Sequence, residues 1–293
     1  MFAADSAASI QPRVAIAARA KPVTVTPANL RLDVNLVLVP VSVTDAKDKP
    51  ITTLGRDKFR LLEDGVERSI TSFSQEEGPV SLGILFDSSG SMKDRIDASI
   101  TSLREFFLTS IPGDEFFLVQ FADEVHRLTD FTPQPDEIFA KLGRVQPKGW
   151  TALLDAIALG SHQMRHARNS RRVLLILSDG GDNNSRFSES EIRNMVLESD
   201  LRVYAIGLFH RPRLLQQLAE ATGGQALVAQ RLSELPDIVQ KLSAEIRSQY
   251  VLGYTSDHTS NDGKYHRVKV ELVPSAEPAL RVSWRRGYYA PAE

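Results

Sequence analysis

The sequence predicts a doubly wound α/β domain with a mainly parallel sheet, inserted into a small β-sandwich that the two flanks build together. Three observations lead there. Before Pro79 and after Arg247, apolar residues recur at every second position, the spacing of half-buried strands. Between those points, short apolar runs alternate with segments of helical spacing, as in a parallel sheet covered by helices on both faces. Each flank alone has too few strands to be stable. That favours a shared sandwich over the alternative, two separate appendages on the central sheet.

In chain order, the strand expected first is VNLVLVPVSVT, from Val34 to Thr44. Phe59 to Glu63 and Ser69 to Phe73 repeat its alternation, joined by the hairpin signal Glu63-Asp64-Gly65. Val80 to Phe86, Phe116 to Phe121, Val173 to Leu177 and Val203 to Ile206 read as strands buried on both faces. Helices fall between them. Ile96, Ile100, Leu103 and Phe107 mark one; Leu153, Ile157 and Met164 another; Ile192 to Leu197 and Leu214 to Ala221 two more. A last helix carries Leu235, Ile238, Leu242 and Ile246, with Ser233 as its expected N-cap. Strands then return at Tyr250 to Tyr254, His266 to Leu272 and Leu280 to Trp284, with a turn at Asn261-Asp262-Gly263. The organisation is a leader over 1–30, one part of the sandwich over 31–78, the central domain over 79–247, and the other part over 248–293.

Composition narrows the function. The 293 residues are 42% hydrophobic and 25% charged, an ordinary globular mixture. Lys plus Arg number 35 against 37 Asp plus Glu, so the net charge of −2 supplies no footprint for nucleic acid or an anionic membrane. There is no cysteine, hence no disulfide, thiolate metal site or thiol nucleophile. No apolar run approaches the ~20 residues of a membrane span. The alanine-rich stretch Met1 to Ala20 reads either as a disordered leader or as the remnant of a trimmed export signal.

The chemistry concentrates after the first buried strand, in Asp87-Ser88-Ser89-Gly90-Ser91. Ligands of open α/β sheets bind beyond the C-terminal strand ends. Asp87 falls at such an end, and Ser89 and Ser91 lie on the turn that follows. Two further loops carry oxygens at the same edge: Gly149-Trp150-Thr151 before a helix, and Leu177-Ser178-Asp179-Gly180 after a strand. An all-oxygen donor set suits a hard cation, Mg²⁺ foremost, with Ca²⁺ or Mn²⁺ as alternatives. Taken singly, Asp87 and Thr151 also read as helix caps and Asp179 as a turn former. Asp155 and Asp182 read as supporting or solvated carboxylates.

Other motifs fall away. His162 and His166 have the spacing of a zinc helix, but Gln163 stands where the metalloprotease glutamate belongs. Arg165 and Arg168 surround them with positive charge, so a solvated helix end is expected. Arg168 to Arg172 reads as a solvated loop. No nucleophile elbow, P-loop or dinucleotide fingerprint occurs. A phosphotransferase built on Asp87 would want an acid where Ser89 stands.

The three pieces DSSGS, GWTALLDAI and LSDG resemble the metal-ion-dependent adhesion site of von Willebrand factor type A domains. The resemblance covers roughly Pro79 to Arg247. The flanking VSVTDAKDKPITTLGRDKFRLLEDG and RRGYYAP are similar to bacterial VWFA-related proteins, common in acidobacteria. Trp150 departs from the pattern, since many relatives carry a second glycine there. The resemblance implies that Asp87, Ser89 and Ser91 ligate the cation, with Thr151 and Asp179 ligating directly or through water. It further implies an open coordination position that accepts an Asp or Glu carboxylate of a protein partner. With no general base found near the cation, the chain reads as a binding protein and not an enzyme, placed outside the cytoplasm. A scaffold in an envelope complex and a metal-assisted hydrolase are the alternatives. The last helix, Ser233 to Arg247, is positioned to couple metal occupancy to domain orientation.

Overall fold

The computed structural model describes residues 36–76, 78–210, 212–257, 263–273 and 280–290. The leader and the turn at Asn261 and Asp262 lie outside them. The N-terminal flank supplies β1 (Leu36–Thr44), β2 (Phe59–Glu63), β3 (Val66–Arg68) and β4 (Ile70–Glu76). The middle of the chain supplies β5 (Val80–Asp87), α1 (Ile96–Phe107), β6 (Glu115–Phe121), β7 (Val125–Thr132), α2 (Pro135–Leu142), α3 (Leu153–Met164) and β8 (Arg171–Ser178). It continues through α4 (Glu189–Glu198), β9 (Arg202–Leu208), α5 (Arg213–Thr222), β10 (Ala226–Ala229) and α6 (Leu235–Arg247). The C-terminal flank adds β11 (Gln249–Thr255), β12 (Tyr265–Leu272), β13 (Arg281–Trp284) and β14 (Gly287–Tyr289).

The central sheet has the order β10-β9-β8-β5-β6-β7, with β7 alone antiparallel. Every residue of β5 is buried, which explains its unbroken apolar run. Apolar side chains fill both faces of this sheet, one layer under α1 and α6 and the other under α3, α4 and α5.

The flanks form two antiparallel sheets, β13-β1-β11-β4 and β14-β12-β2-β3, each mixing strands from both ends of the chain. One core joins Val41, Phe59 and Leu61 from the first flank to Tyr250, Leu252, Val270 and Trp284 from the second. The shared sandwich therefore holds, and separate appendages do not. The chain enters and leaves the central domain side by side, because β4 and β11 pair, with Gln249 opposite Glu76. Glu63 fastens the two ends. Its buried carboxylate accepts hydroxyls from Tyr254 (2.8 Å), Tyr288 (2.9 Å) and Ser256 (3.1 Å), and Arg68 Nε at 3.1 Å. Burial alone would raise this carboxyl, but those donors and the Arg68 charge outweigh it and hold it below its usual range.

Two expectations need correction. The turn at Asp64 (φ 48°) and Gly65 (φ 85°) joins β2 to the short β3, not to the strand near Ser69, which crosses to the other sheet as β4. Ser233 does not cap α6: it lies inside a 3₁₀ turn over Leu232–Glu234, and Glu234 takes the cap position. Among the described residues, no helix is long and apolar enough to cross a membrane.

Candidate metal centre

The C-terminal edge of the central sheet gathers three loops. Asp87 ends β5 with its side chain wholly buried (0% exposed). Its Oδ1 accepts the Ser89 N–H at 2.8 Å, and its Oδ2 accepts the Ser178 hydroxyl at 2.5 Å. Ser88 turns the other way. Its N–H donates to the Phe121 carbonyl at 2.8 Å, and its hydroxyl receives Gln120 Nε2 at 2.9 Å. That alternation leaves Ser89 and Ser91 facing the same side as Asp87, their hydroxyl oxygens 3.2 Å apart. The Ser91 hydroxyl then donates to Asp179 Oδ1 at 2.8 Å. Four of the five expected site residues thus form one connected cluster.

Thr151 sits on the adjoining loop, brought in by backbone bonds. Gly90 N–H donates to the Gly149 carbonyl at 3.0 Å, and Lys148 N–H to the Ser88 carbonyl at 2.9 Å. The Thr151 N–H donates to Asn183 Oδ1 at 2.7 Å, and its carbonyl accepts the Asn183 and Asn184 amides. Its side chain is buried, yet its hydroxyl forms no hydrogen bond among the described residues. Gly149 has φ 73°, and a Cβ there would run into the Asp123 carboxylate. Asp123 Oδ1 in turn accepts the Trp150 N–H at 2.7 Å, and the Trp150 ring is left 65% exposed at the rim.

The electrostatics are unbalanced at Asp87. Burial pushes its carboxyl up; hydrogen bonds from Ser178 and Ser89 offset part of this, and the Asp179 charge adds to it. Among the described residues, Asp87 has no cationic partner. Asp179 has one, Arg95, whose guanidinium also lies 4.6 Å over the Phe209 ring. A buried unpaired carboxylate, a second carboxylate, two hydroxyls turned inward and a third left unbonded make an all-oxygen donor set. It fits a hard divalent cation.

Nearby acids serve the loops. Asp155 accepts the Arg186 N–H at 2.9 Å and the Phe187 N–H at 3.2 Å, and Asp182 Oδ1 accepts the Leu154 N–H at 3.1 Å. His162, on α3, and His166, just beyond its end, are exposed, their rings 6.0 Å apart. Reading residues missed Arg95, Asp123, Ser178 and Asn183. Only Ser178 was signalled, by its place inside LSDG.

Comparison with known proteins bears on the fold. Residues 82–181 match the family model described as the von Willebrand factor type A domain. Among solved structures, a von Willebrand factor type A protein from Catenulispora acidiphila shares the fold at TM-score 0.53 and 11% identity, over 88% of this chain and 73% of that one. Proximal thread matrix protein 1 from the mussel byssus, solved with a zinc-occupied MIDAS motif, matches at TM-score 0.52 and 16% identity. That match covers 62% of this chain and 49% of the mussel protein. No curated protein matches the chain.

Proposed function

We propose that this chain, which carries a von Willebrand factor type A domain at its centre, captures a protein partner through a divalent cation at the Asp87 cluster. The observation that carries the reading is the buried Asp87 carboxylate, linked to Ser89, Ser91 and Asp179 and without a cationic partner among the described residues. Asp87, Ser89 and Ser91 would hold the ion, with Thr151 and Asp179 completing or supporting the set; Mg²⁺ is favoured for its preference for small oxygen donors. When bound, the ion supplies a Lewis-acidic position for an Asp or Glu carboxylate of the partner.

The chain's own residues do the rest. Ser178 and the Ser89 amide fix the Asp87 carboxylate, Asp123 and Gly149 fix the loop that carries Thr151, and Trp150 offers an exposed apolar face beside the opening. The zinc-occupied motif in the mussel protein supports metal occupancy at this edge of the fold. Binding is favoured over hydrolysis because Asp123, Asp155 and Asp182 are committed to backbone amides that shape the loops. The flanking segments and RRGYYAP support placement with bacterial VWFA-related proteins, and with them export from the cytoplasm.

The test is capture of partners by the immobilised chain with Mg²⁺ or with EDTA, for wild type and Asp87→Ala, alongside circular dichroism. We expect EDTA and the substitution each to abolish capture with the fold intact. Capture that survives both would show that the metal is not the contact. Capture that requires Mg²⁺ but tolerates Trp150→Ala would remove the tryptophan from the interface.

A further inference from the structure

We infer that the cleft between the base of the central domain and the sandwich binds a small organic carboxylate. The cleft has a volume of about 170 Å³ and lies at the opposite end of β8 from Asp179. Arg171, Arg172, Arg202 and Arg285 line it, with Asp200 as the only acid. Two of these arginines are spent. Arg171 donates to the carbonyls of Gly78 and Ile246, and Arg285 to Asp200 at 2.6 Å and the Leu197 carbonyl at 2.8 Å.

The other two are not. Arg202 is only 7% exposed; its bond to Ser42 Oγ is 3.4 Å long, Tyr204 lies against its guanidinium, and its Nη2 is buried without a partner among the described residues. The Nε of Arg172 is likewise buried and unpartnered. Glu245, the buried acid on α6, bonds the Tyr204 hydroxyl at 3.4 Å and feels the Arg202 charge without a direct contact to Nη2. Buried polar groups are almost always satisfied, so two guanidinium N–H groups left without an acceptor at one cleft call for a ligand. A guanidinium is a planar fork of N–H donors matched to a carboxylate.

The opposite wall decides which anion fits. Leu38, Pro40 and Val251 of the sandwich sheet face the arginines across the cleft. Bare inorganic anions gain nothing from such a wall, whereas an acid with a short branched alkyl body covers it. The cleft is small, so the acid is a small one. Isovalerate has that size and shape and is the probe.

The experiment is calorimetric titration and thermal unfolding of the full chain at constant ionic strength, with isovalerate, its neutral amide and inorganic phosphate. We expect saturable isovalerate binding and a Tm rise of about 3–5 °C at tenfold excess over the midpoint. The amide should bind at least tenfold more weakly, as should isovalerate to Arg172→Gln. Arg202→Met should lose binding. Should that variant fail to fold, Arg172→Gln and the amide still decide. No saturable isovalerate binding, equal binding of the amide, or unchanged binding to Arg172→Gln would each overturn the assignment. Binding of phosphate in place of isovalerate would overturn the choice of an organic acid.

Discussion

Replacing Asp87 with asparagine separates the cation's contribution from the fold's. The amide keeps the shape of the carboxyl. Its oxygen still accepts the Ser89 N–H, and its nitrogen donates to Ser178 Oγ, whose hydrogen turns to the Gly180 carbonyl 3.2 Å away. Both contacts survive as neutral hydrogen bonds, each weaker by about 1 kcal/mol than its charge-assisted form. Against that stands the desolvation of a carboxylate with no cationic partner, which costs several kcal/mol. In EDTA at neutral pH, Asp87→Asn should therefore melt at the wild-type temperature or a few degrees above it.

The pH dependence has a definite sign. Burial raises the folded-state pKa of Asp87, so its share of stability is intact below the ordinary aspartate value and is lost as pH rises through the folded value. The variant's advantage should be full at neutral pH and vanish in acid. With Mg²⁺ at a hundredfold excess over its dissociation constant, the wild type should gain about 2.7 kcal/mol, roughly 5–10 °C. The variant should lose most of that gain. Calorimetric scans in EDTA and Mg²⁺ between pH 4.5 and 8 (on the order of eight conditions) measure both effects. A variant that melts well below wild type in EDTA, or that keeps the full Mg²⁺ gain, would refute the reasoning.

Three other substitutions probe the surroundings. Arg95→Gln removes a positive charge paired with Asp179; at about 1 kcal/mol for one charge in a water-like dielectric, Mg²⁺ affinity by calorimetry should rise roughly fivefold. Glu63→Gln turns the charge-assisted bonds from Tyr254, Tyr288 and Ser256 into neutral ones and leaves Arg68 with Asp257. It should cost about 1–3 kcal/mol in urea unfolding while leaving the Mg²⁺ response intact. Glu245 is pushed up to about 7, mainly by burial, so its stability is present below the ordinary glutamate value and lost as pH rises through about 7. Glu245→Gln should remove that loss, roughly 2–4 kcal/mol by pH 8, and flatten the profile of urea midpoint against pH.

The parts of the fold that were legible in the sequence are those where burial imposes a pattern. The strands β5, β8 and β9 have apolar neighbours on both faces, and an unbroken apolar run records that. The edge strand β7, VHRLTDFT, is half-buried or exposed at all but its last position, so its composition carries no such mark. The strands β10 and β14 are too short for a period to appear. At the candidate site, Asp87, Ser89 and Ser91 stood out because three oxygen-bearing side chains fall at alternate positions of one turn. Asp123 and Asn183 were not, because they act through the backbone amides of Trp150 and Thr151, and a lone acid or amide in a loop looks like any other. Arg95 escaped for a different reason: its meaning depends on Asp179, which is distant in sequence.

The central sheet keeps its two ends apart. β8 runs from Arg171 to Ser178, about 23 Å at 3.3 Å per residue, with the arginine cleft at its start and the metal loop at its finish. One continuous path joins them. Arg95, paired with Asp179, leads into α1; near the far end of that helix, Thr109 meets Ser243 and Arg247 of α6; and the Ile246 carbonyl holds Arg171 at the cleft. A path transmits only if some element along it has two arrangements. Here Leu103 and Phe106 of α1, and Val239, Leu242 and Ile246 of α6, are all buried in one packed layer, which resists sliding. Metal and carboxylate should therefore bind almost independently. Isovalerate titrations in Mg²⁺ and in EDTA should give midpoints within about twofold, since a coupling free energy is the logarithm of that ratio. A larger, reciprocal difference would mean that α1 or α6 moves, and would make the sandwich a reporter of what the metal end has caught.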